Sequence, residues 1–220
     1  DLHDSVPAIC YPSGAGLAST WNRQLIREVG VHLGQESAKE DVDVLLGPAI
    51  NIKRSPLCGR NFEYYSEDPF LAGRLAAAYI DGVQSCGVGT SLKHFAVNNQ
   101  ESNRMVVDAL VDEATLREIY LAAFEYAVRE SQPWTIMCAY NRLNGEFCAQ
   151  NRKLLTGILR EEWEFEGVVV TDWGASDDRI AGLNAGQDLE MPGNHGLTES
   201  ELLEARDQDQ LPIDKLDECV

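Results

Sequence analysis

The stretch GVVVTDWGA, residues 167–175, places a carboxylate where an apolar run ends. Three consecutive β-branched valines favour a strand buried on both faces, and Thr171 carries it on to Asp172. An ionised carboxylate is costly to bury without partners. An acid at this point therefore either caps the following helix or has a chemical task.

Working outward, VDVLLGPAI (42–50), VGTSL (88–92) and WTIMCAY (134–140) have the same short, nearly continuous apolar character. QDLEM (187–191) and PAIC (7–10) are weaker strand candidates. Helical patterns lie between them. Leu116, Ile119, Tyr120, Ala123, Phe124 and Ala127 repeat at helical spacing behind Asp112 as N-cap, and SEDP (66–69) opens a helix with proline in its first turn. WNRQLIREVGVHL (21–33) and NRKLLTGILREEW (151–163) supply two more. Regular β–α alternation implies a parallel sheet, either doubly wound or a (β/α)8-type barrel. A whole barrel takes roughly 250 residues, and about six β–α units are counted here. The expected fold is thus α/β, a (β/α)8-type barrel incomplete at its N-terminal end.

The chain has 220 residues, with 36 acidic against 18 basic side chains and a net charge of -18. Such a surface repels phosphate backbones and anionic lipid, which argues against nucleic-acid and membrane partners. The acidic run ESELLEARDQDQ (199–210) reads as a solvated helix face. No run approaches the roughly 20 apolar residues that span a bilayer. Six cysteines show no CxxC pair, so reduced, mostly buried thiols and a cytoplasmic location are expected. Neither a metal nor a cofactor is called for: His3, His32, His94 and His195 are scattered, unlike the ligands of a metal-dependent barrel hydrolase. GVGTSL (87–92) has Leu92 where a dinucleotide fingerprint needs its third glycine.

In parallel α/β folds the active groups sit at the C-terminal strand ends. Arg60 and Glu63 follow LLGPAI, Lys93 and His94 follow TSL, Tyr140 and Asn141 follow TIMCA, Asp172 and Trp173 follow VVVT, and Glu190 ends QDLEM. Polar groups beside an aromatic wall suit a sugar ring, which needs directional hydrogen bonds and an apolar face to stack on. Each has a blander reading. Asp172 caps a helix, Lys93–His94 is a surface charge beside a core histidine, Arg60 only pairs with Glu63, and Trp173, Met137 and Tyr140 are packing. One shared site accounts for five successive strand ends more economically.

The segments GRNFEYYSEDP (59–69), SLKHFAVNNQESNR (91–104), TIMCAYNRLNG (135–145) and VVVTDWGA (168–175), in this order, resemble the barrel domain of glycoside hydrolase family 3, in its β-glucosidase branch. The resemblance runs from PAICYPSGAGLASTWN to AGQDLEMPG and implies Asp172 as catalytic nucleophile of a retaining hydrolase. It further implies that Arg60, Lys93 and His94 hold sugar hydroxyls, that Met137 and Tyr140 line the sugar subsite with Trp173 as aromatic wall, and that Arg104 lies near. Lys93–His94 continues as FAVNNQE, unlike the KH-x-PGHG of the β-N-acetylhexosaminidase branch.

Two family groups are missing from this reading. One is an Asp in a D-G-P segment expected just before PAICYP. The other is the general acid/base Glu, which the family takes from a second α/β sandwich domain. Residues 1–195 would then be the barrel domain, truncated at its start, and 196–220 helices leading to a linker. Retaining hydrolysis needs two carboxyl groups roughly 5–5.5 Å apart, so these residues alone are expected to be inactive unless Glu190 serves as the acid. A β-xylosidase-type activity and a non-catalytic sugar-binding remnant remain the alternatives.

Overall fold

The computed structural model describes residues 6–219; His3, one of the four histidines weighed as metal ligands, lies outside them. In chain order the elements are α1 (Gly14–Ala18), α2 (Arg23–Lys39), β1 (Val44–Leu45), α3 (Pro69–Gln84), β2 (Gly89–Phe95) and β3 (Asp108–Ala109). Next comes α4 (Glu113–Thr115), which runs through a π-helical stretch, Leu116–Leu121, into α5 (Ala122–Ser131). The strands β4 (Thr135–Cys138), β5 (Arg142–Leu143) and β6 (Glu146–Phe147) precede a second π-helix, Lys153–Glu162. The chain continues through β7 (Val168–Thr171), α6 (Arg179–Ala185), α7 (Leu197–Asp207) and α8 (Ile213–Asp217).

The main sheet has the order β1-β2-β4-β7, every pair parallel. Leu189 adds a parallel bridge to Val170 beyond β7, and Ala49 bridges Lys93. Each new strand is laid beside the last in one direction, with no reversal. A doubly wound sheet would reverse at a switch point, so this is the order of a barrel wall, left open.

Several details depart from the expectation. The 42–50 run forms only β1 and the Ala49 bridge, because the Gly47 amide turns back to the Leu45 carbonyl (2.9 Å) and Pro48 has no N–H for a ladder. QDLEM contributes one bridge, and PAIC is exposed and forms no strand. Conversely β2 runs past TSL, so Lys93 and His94 belong to the strand and do not follow it. Opposite β4, Lys93 pairs with Met137 and Phe95 with Cys138, which leaves His94 as an extra residue in a bulge.

The helix starts are local chemistry. Asp112 accepts the Thr115 N–H at 3.0 Å, and Asp68 accepts that of Phe70 at 2.8 Å ahead of Pro69. The core face of the Leu116–Ala127 segment is shifted, however. The π-helical turn widens the repeat, so Leu121 is fully buried while Ile119 is exposed. Behind the sheet, Phe95 packs on Phe124 and Trp163 with ring centroids 5.3 and 5.8 Å away. Helices α2 and α3 approach closely where Gly30 meets Gly82; a Cβ on Gly82 would lie 2.3 Å from the Arg27 carbonyl oxygen.

A hairpin of β5 and β6 turns at Asn144–Gly145, both at positive φ (52° and 97°). Asn-Gly is the residue pair such a turn favours. Toward the C-terminus, Leu183 of α6 packs with Ala205 and Leu211 in a small separate cluster. All six thiols are free, but only Cys138 and Cys148 are buried, Cys10 being exposed and Cys58, Cys86 and Cys219 intermediate. No helix among the described residues is long and apolar enough to cross a membrane.

Candidate active site

Asp172 is the first residue past β7 and is buried. It caps no helix: α6 is capped by Asp178, whose carboxylate accepts the Ala181 N–H at 2.9 Å. Instead its Oδ1 accepts the Trp173 backbone N–H at 2.8 Å and the Tyr140 hydroxyl at 3.0 Å. The Trp173 carbonyl, also 3.0 Å from that hydroxyl, is a second acceptor for the same hydrogen. Burial and the Asp172 charge push the Tyr140 phenol up to about 12, so it stays a donor. The other carboxylate oxygen, Oδ2, faces His94 Nε2 at 3.6 Å.

His94 is 1% exposed, and burial, then Arg60, Lys93 and Arg104, hold its imidazole well below the ordinary range. The ring is neutral, so its approach to Asp172 is not an ion pair. Because of the bulge, Lys93 and His94 both stand at the C-terminal end of one strand. Burial lowers the Lys93 ammonium, and the Glu63 charge works against that lowering. Glu63 also ion-pairs with Arg60 through Nε, so Arg60 does pair with its loop neighbour. Its two terminal nitrogens bond no other side chain among the described residues.

Arg104 lies 4.5 Å over the Tyr140 ring and pairs with Glu101 at 3.0 Å. Met137, 1% exposed, sits in register with Lys93 on one side and Val170 on the other. Trp173 is half-buried. The strand ends thus bring His94, Tyr140 and Asp172 into direct contact, with Arg104 stacked on Tyr140 and Arg60, Glu63 and Lys93 electrostatically joined beside them. Glu190 is not joined to this group: its Oε2 accepts the Thr198 hydroxyl at 2.7 Å. Among the described residues no cluster of three or more His, Cys, Asp or Glu is placed to hold a metal ion.

Three residues that the sequence reading passed over back this group. Asn51 bonds the His94 main chain on both sides, and Tyr64 lies edge-on to the His94 ring, its hydroxyl held by Asn98. Asn51 directly follows the LLGPAI run, which is the signal that could have found it.

A one-directional parallel sheet with a held carboxylate, an aromatic and cations at its C-terminal strand ends is the open wall of a (β/α)8-type barrel, with its candidate site where such barrels carry theirs. Residues 7–220 match the glycosyl hydrolase family 3 N-terminal domain. The chain belongs to glycosyl hydrolase family 3. It is 62% identical over 205 residues to thermostable beta-glucosidase B of Acetivibrio thermocellus, covering 93% of this chain and 27% of that protein. It is 60% identical over 195 residues to an exo-alpha-(1->6)-L-arabinopyranosidase of Bifidobacterium longum, covering 89% and 26%. The solved structure of beta-glucosidase 3B from Thermotoga neapolitana with glucose matches at a TM-score of 0.93 and 55% identity, over 96% of this chain and 30% of that one. The chain therefore spans about a quarter of the length of the curated relatives it matches.

Proposed function

We propose that this chain supplies the nucleophile side of a retaining β-glucosidase. The observation that carries the reading is the asymmetric hold on Asp172. Oδ1 takes two donors, whereas Oδ2 takes no hydrogen bond among the described residues and faces the mouth beside His94. Oδ2 attacks the anomeric carbon as the glycosidic bond breaks, and a glycosyl-aspartate ester forms. The leaving oxygen takes its proton from a carboxylic acid supplied outside these residues, in a second domain. Water then cleaves the ester and restores the carboxylate. Arg60, Lys93, His94 and Arg104 hold hydroxyls, with Met137, Tyr140 and Trp173 walling the ring. The unpaired thiols support a reducing, cytoplasmic setting.

The 60% identity to an arabinopyranosidase favours testing a second glycone of the same family. The decisive experiment incubates the protein, expressed with its flanking coding sequence, with activated 2-deoxy-2-fluoro glycosides of glucose, xylose and arabinopyranose, followed by peptide mass spectrometry. A glycosyl label on Asp172 from the glucoside supports the proposal. A label on another carboxylate, or an Asp172→Asn variant with undiminished turnover, overturns it.

A further inference from the structure

Asn51 grips the main chain of His94 at two points. Its Oδ1 accepts the His94 N–H at 2.9 Å, and its Nδ2 donates to the His94 carbonyl at 2.8 Å. Both residues are buried, at 2% and 1% exposure. A backbone N–H only donates and a carbonyl only accepts, so these bonds fix which amide atom is oxygen. The same Oδ1 lies 3.3 Å from ring Nδ1. Facing an oxygen that can only accept, Nδ1 makes a hydrogen bond there only if it carries the proton.

The rival partner of Nδ1 is the Tyr64 hydroxyl, 3.5 Å away. That hydroxyl is satisfied without the ring: it accepts from Asn98 Nδ2 at 3.1 Å and donates to the Asn98 carbonyl at 3.4 Å. On the far side of the ring, the 3.6 Å from Nε2 to Asp172 Oδ2 exceeds the reach of an N–H···O bond. Both sides of the imidazole thus point the same way.

We propose that Asn51 fixes His94 as the Nδ1–H tautomer, so that Nε2 enters the pocket as a bare acceptor to which a sugar hydroxyl donates. The hydroxyl rests on the function proposed above; the tautomer does not. Burial and three nearby cations keep the ring neutral, so one nitrogen has to be bare. The arrangement has a chemical consequence. An Nε2–H would turn its positive end toward Oδ2, 3.6 Å away, and so damp the charge needed for attack, whereas a bare Nε2 places no donor beside that oxygen. Asn51 touches neither substrate nor nucleophile in this scheme and acts only through His94, as a positioning residue.

The test is long-range proton–nitrogen correlation NMR on the 15N-histidine-labelled protein. The His94 signal is identified by its loss in His94→Gln. Protonated Nδ1 with bare Nε2 is expected. Wild-type protein with the proton on Nε2 overturns the proposal, whatever any variant does. Asn51→Ala should move the proton to Nε2, freeing Tyr64 to donate to Nδ1, while Tyr64→Phe should leave the tautomer unchanged. A tautomer set by Tyr64 and indifferent to Asn51 is the contrary result. For the ligand arm, titration with monodeoxy and monodeoxyfluoro glucoses reads the polarity of the contact. At one ring position fluorine, which cannot donate, should bind roughly tenfold worse than the native hydroxyl and no better than hydrogen. Fluorine that retains affinity at every position overturns the acceptor role. Failure of all sugars to bind, with the tautomer as expected, would count against the glucosidase reading alone.

Discussion

The Tyr140 hydroxyl meets Oδ1 of Asp172 at 3.0 Å across the ends of two hydrogen-bonded strands, β4 and β7. Register makes the contact: Cys138 pairs with Thr171, so the residues just beyond each partner converge over the sheet's rim. Tyr140→Phe removes a hydrogen bond to a charged group, about 1.5–3 kcal/mol. The catalytic efficiency kcat/KM on aryl glucosides should fall roughly 10- to 100-fold, with thermal unfolding nearly unchanged. A wild-type rate would show that the Trp173 amide alone suffices to hold Oδ1.

Glu63 should govern the alkaline side of the activity profile. Burial lowers the Lys93 ammonium, Glu63 opposes that lowering and Arg60 adds to it. Glu63→Gln keeps the shape and deletes the supporting charge. Lys93 then loses its proton at lower pH, and the alkaline limb of kcat/KM should move toward neutrality. An unmoved limb in the pH profile would mean that the Lys93 charge is not required.

His94 should make stability fall in acid. Its folded-state ring titrates well below the ordinary 6.5, so below about pH 6.5 the unfolded chain binds a proton that the folded one refuses. This contribution is fully present above the unfolded value and is lost as pH falls, at up to about 1.4 kcal/mol per pH unit. Urea unfolding from pH 7 to 5 should show this slope, and His94→Gln should lack it.

Trp163 is 1% exposed and packs on Phe95, whose strand continues directly from Lys93 and His94. Trp163→Ala should cost about 3–5 kcal/mol, read as a lower denaturant midpoint. Its effect on sugar affinity at temperatures where the variant stays folded should be small.

The strands of the main sheet, and the candidate positions at their ends, were legible because their cause is local. Three valines, an acid and a tryptophan at 168–173 announce a strand end, and Asp112 and Asp68 announce helix starts. What escaped reading depends on neighbours. The bulge at His94 exists only against the register of β4, and the π-helical turn that exposes Ile119 and buries Leu121 leaves no mark in a three-and-four repeat. The Asn51–Tyr64–Asn98 backing joins residues 34 and 43 positions apart, and no spacing rule connects them. PAIC misled for the opposite reason: apolar residues at Ala8 and Ile9 resemble a strand, yet they find no partner among the described residues.

The ion pairs around Asp172 carry one further consequence. Arg60 is matched by Glu63, Arg104 by Glu101, and Lys93 senses Asp172 while His94 stays uncharged. Three positive and three negative groups leave the mouth without a monopole, on a chain whose net charge is -18. A neutral sugar is neither drawn in nor held off by such a mouth, so ionic strength should scarcely alter its capture. A glycoside whose departing part bears a carboxylate or sulfate meets the far field of the acidic surface, which fades beyond about 8 Å in physiological salt. Raising the salt should speed turnover of those anionic glycosides and leave their uncharged analogues unaffected.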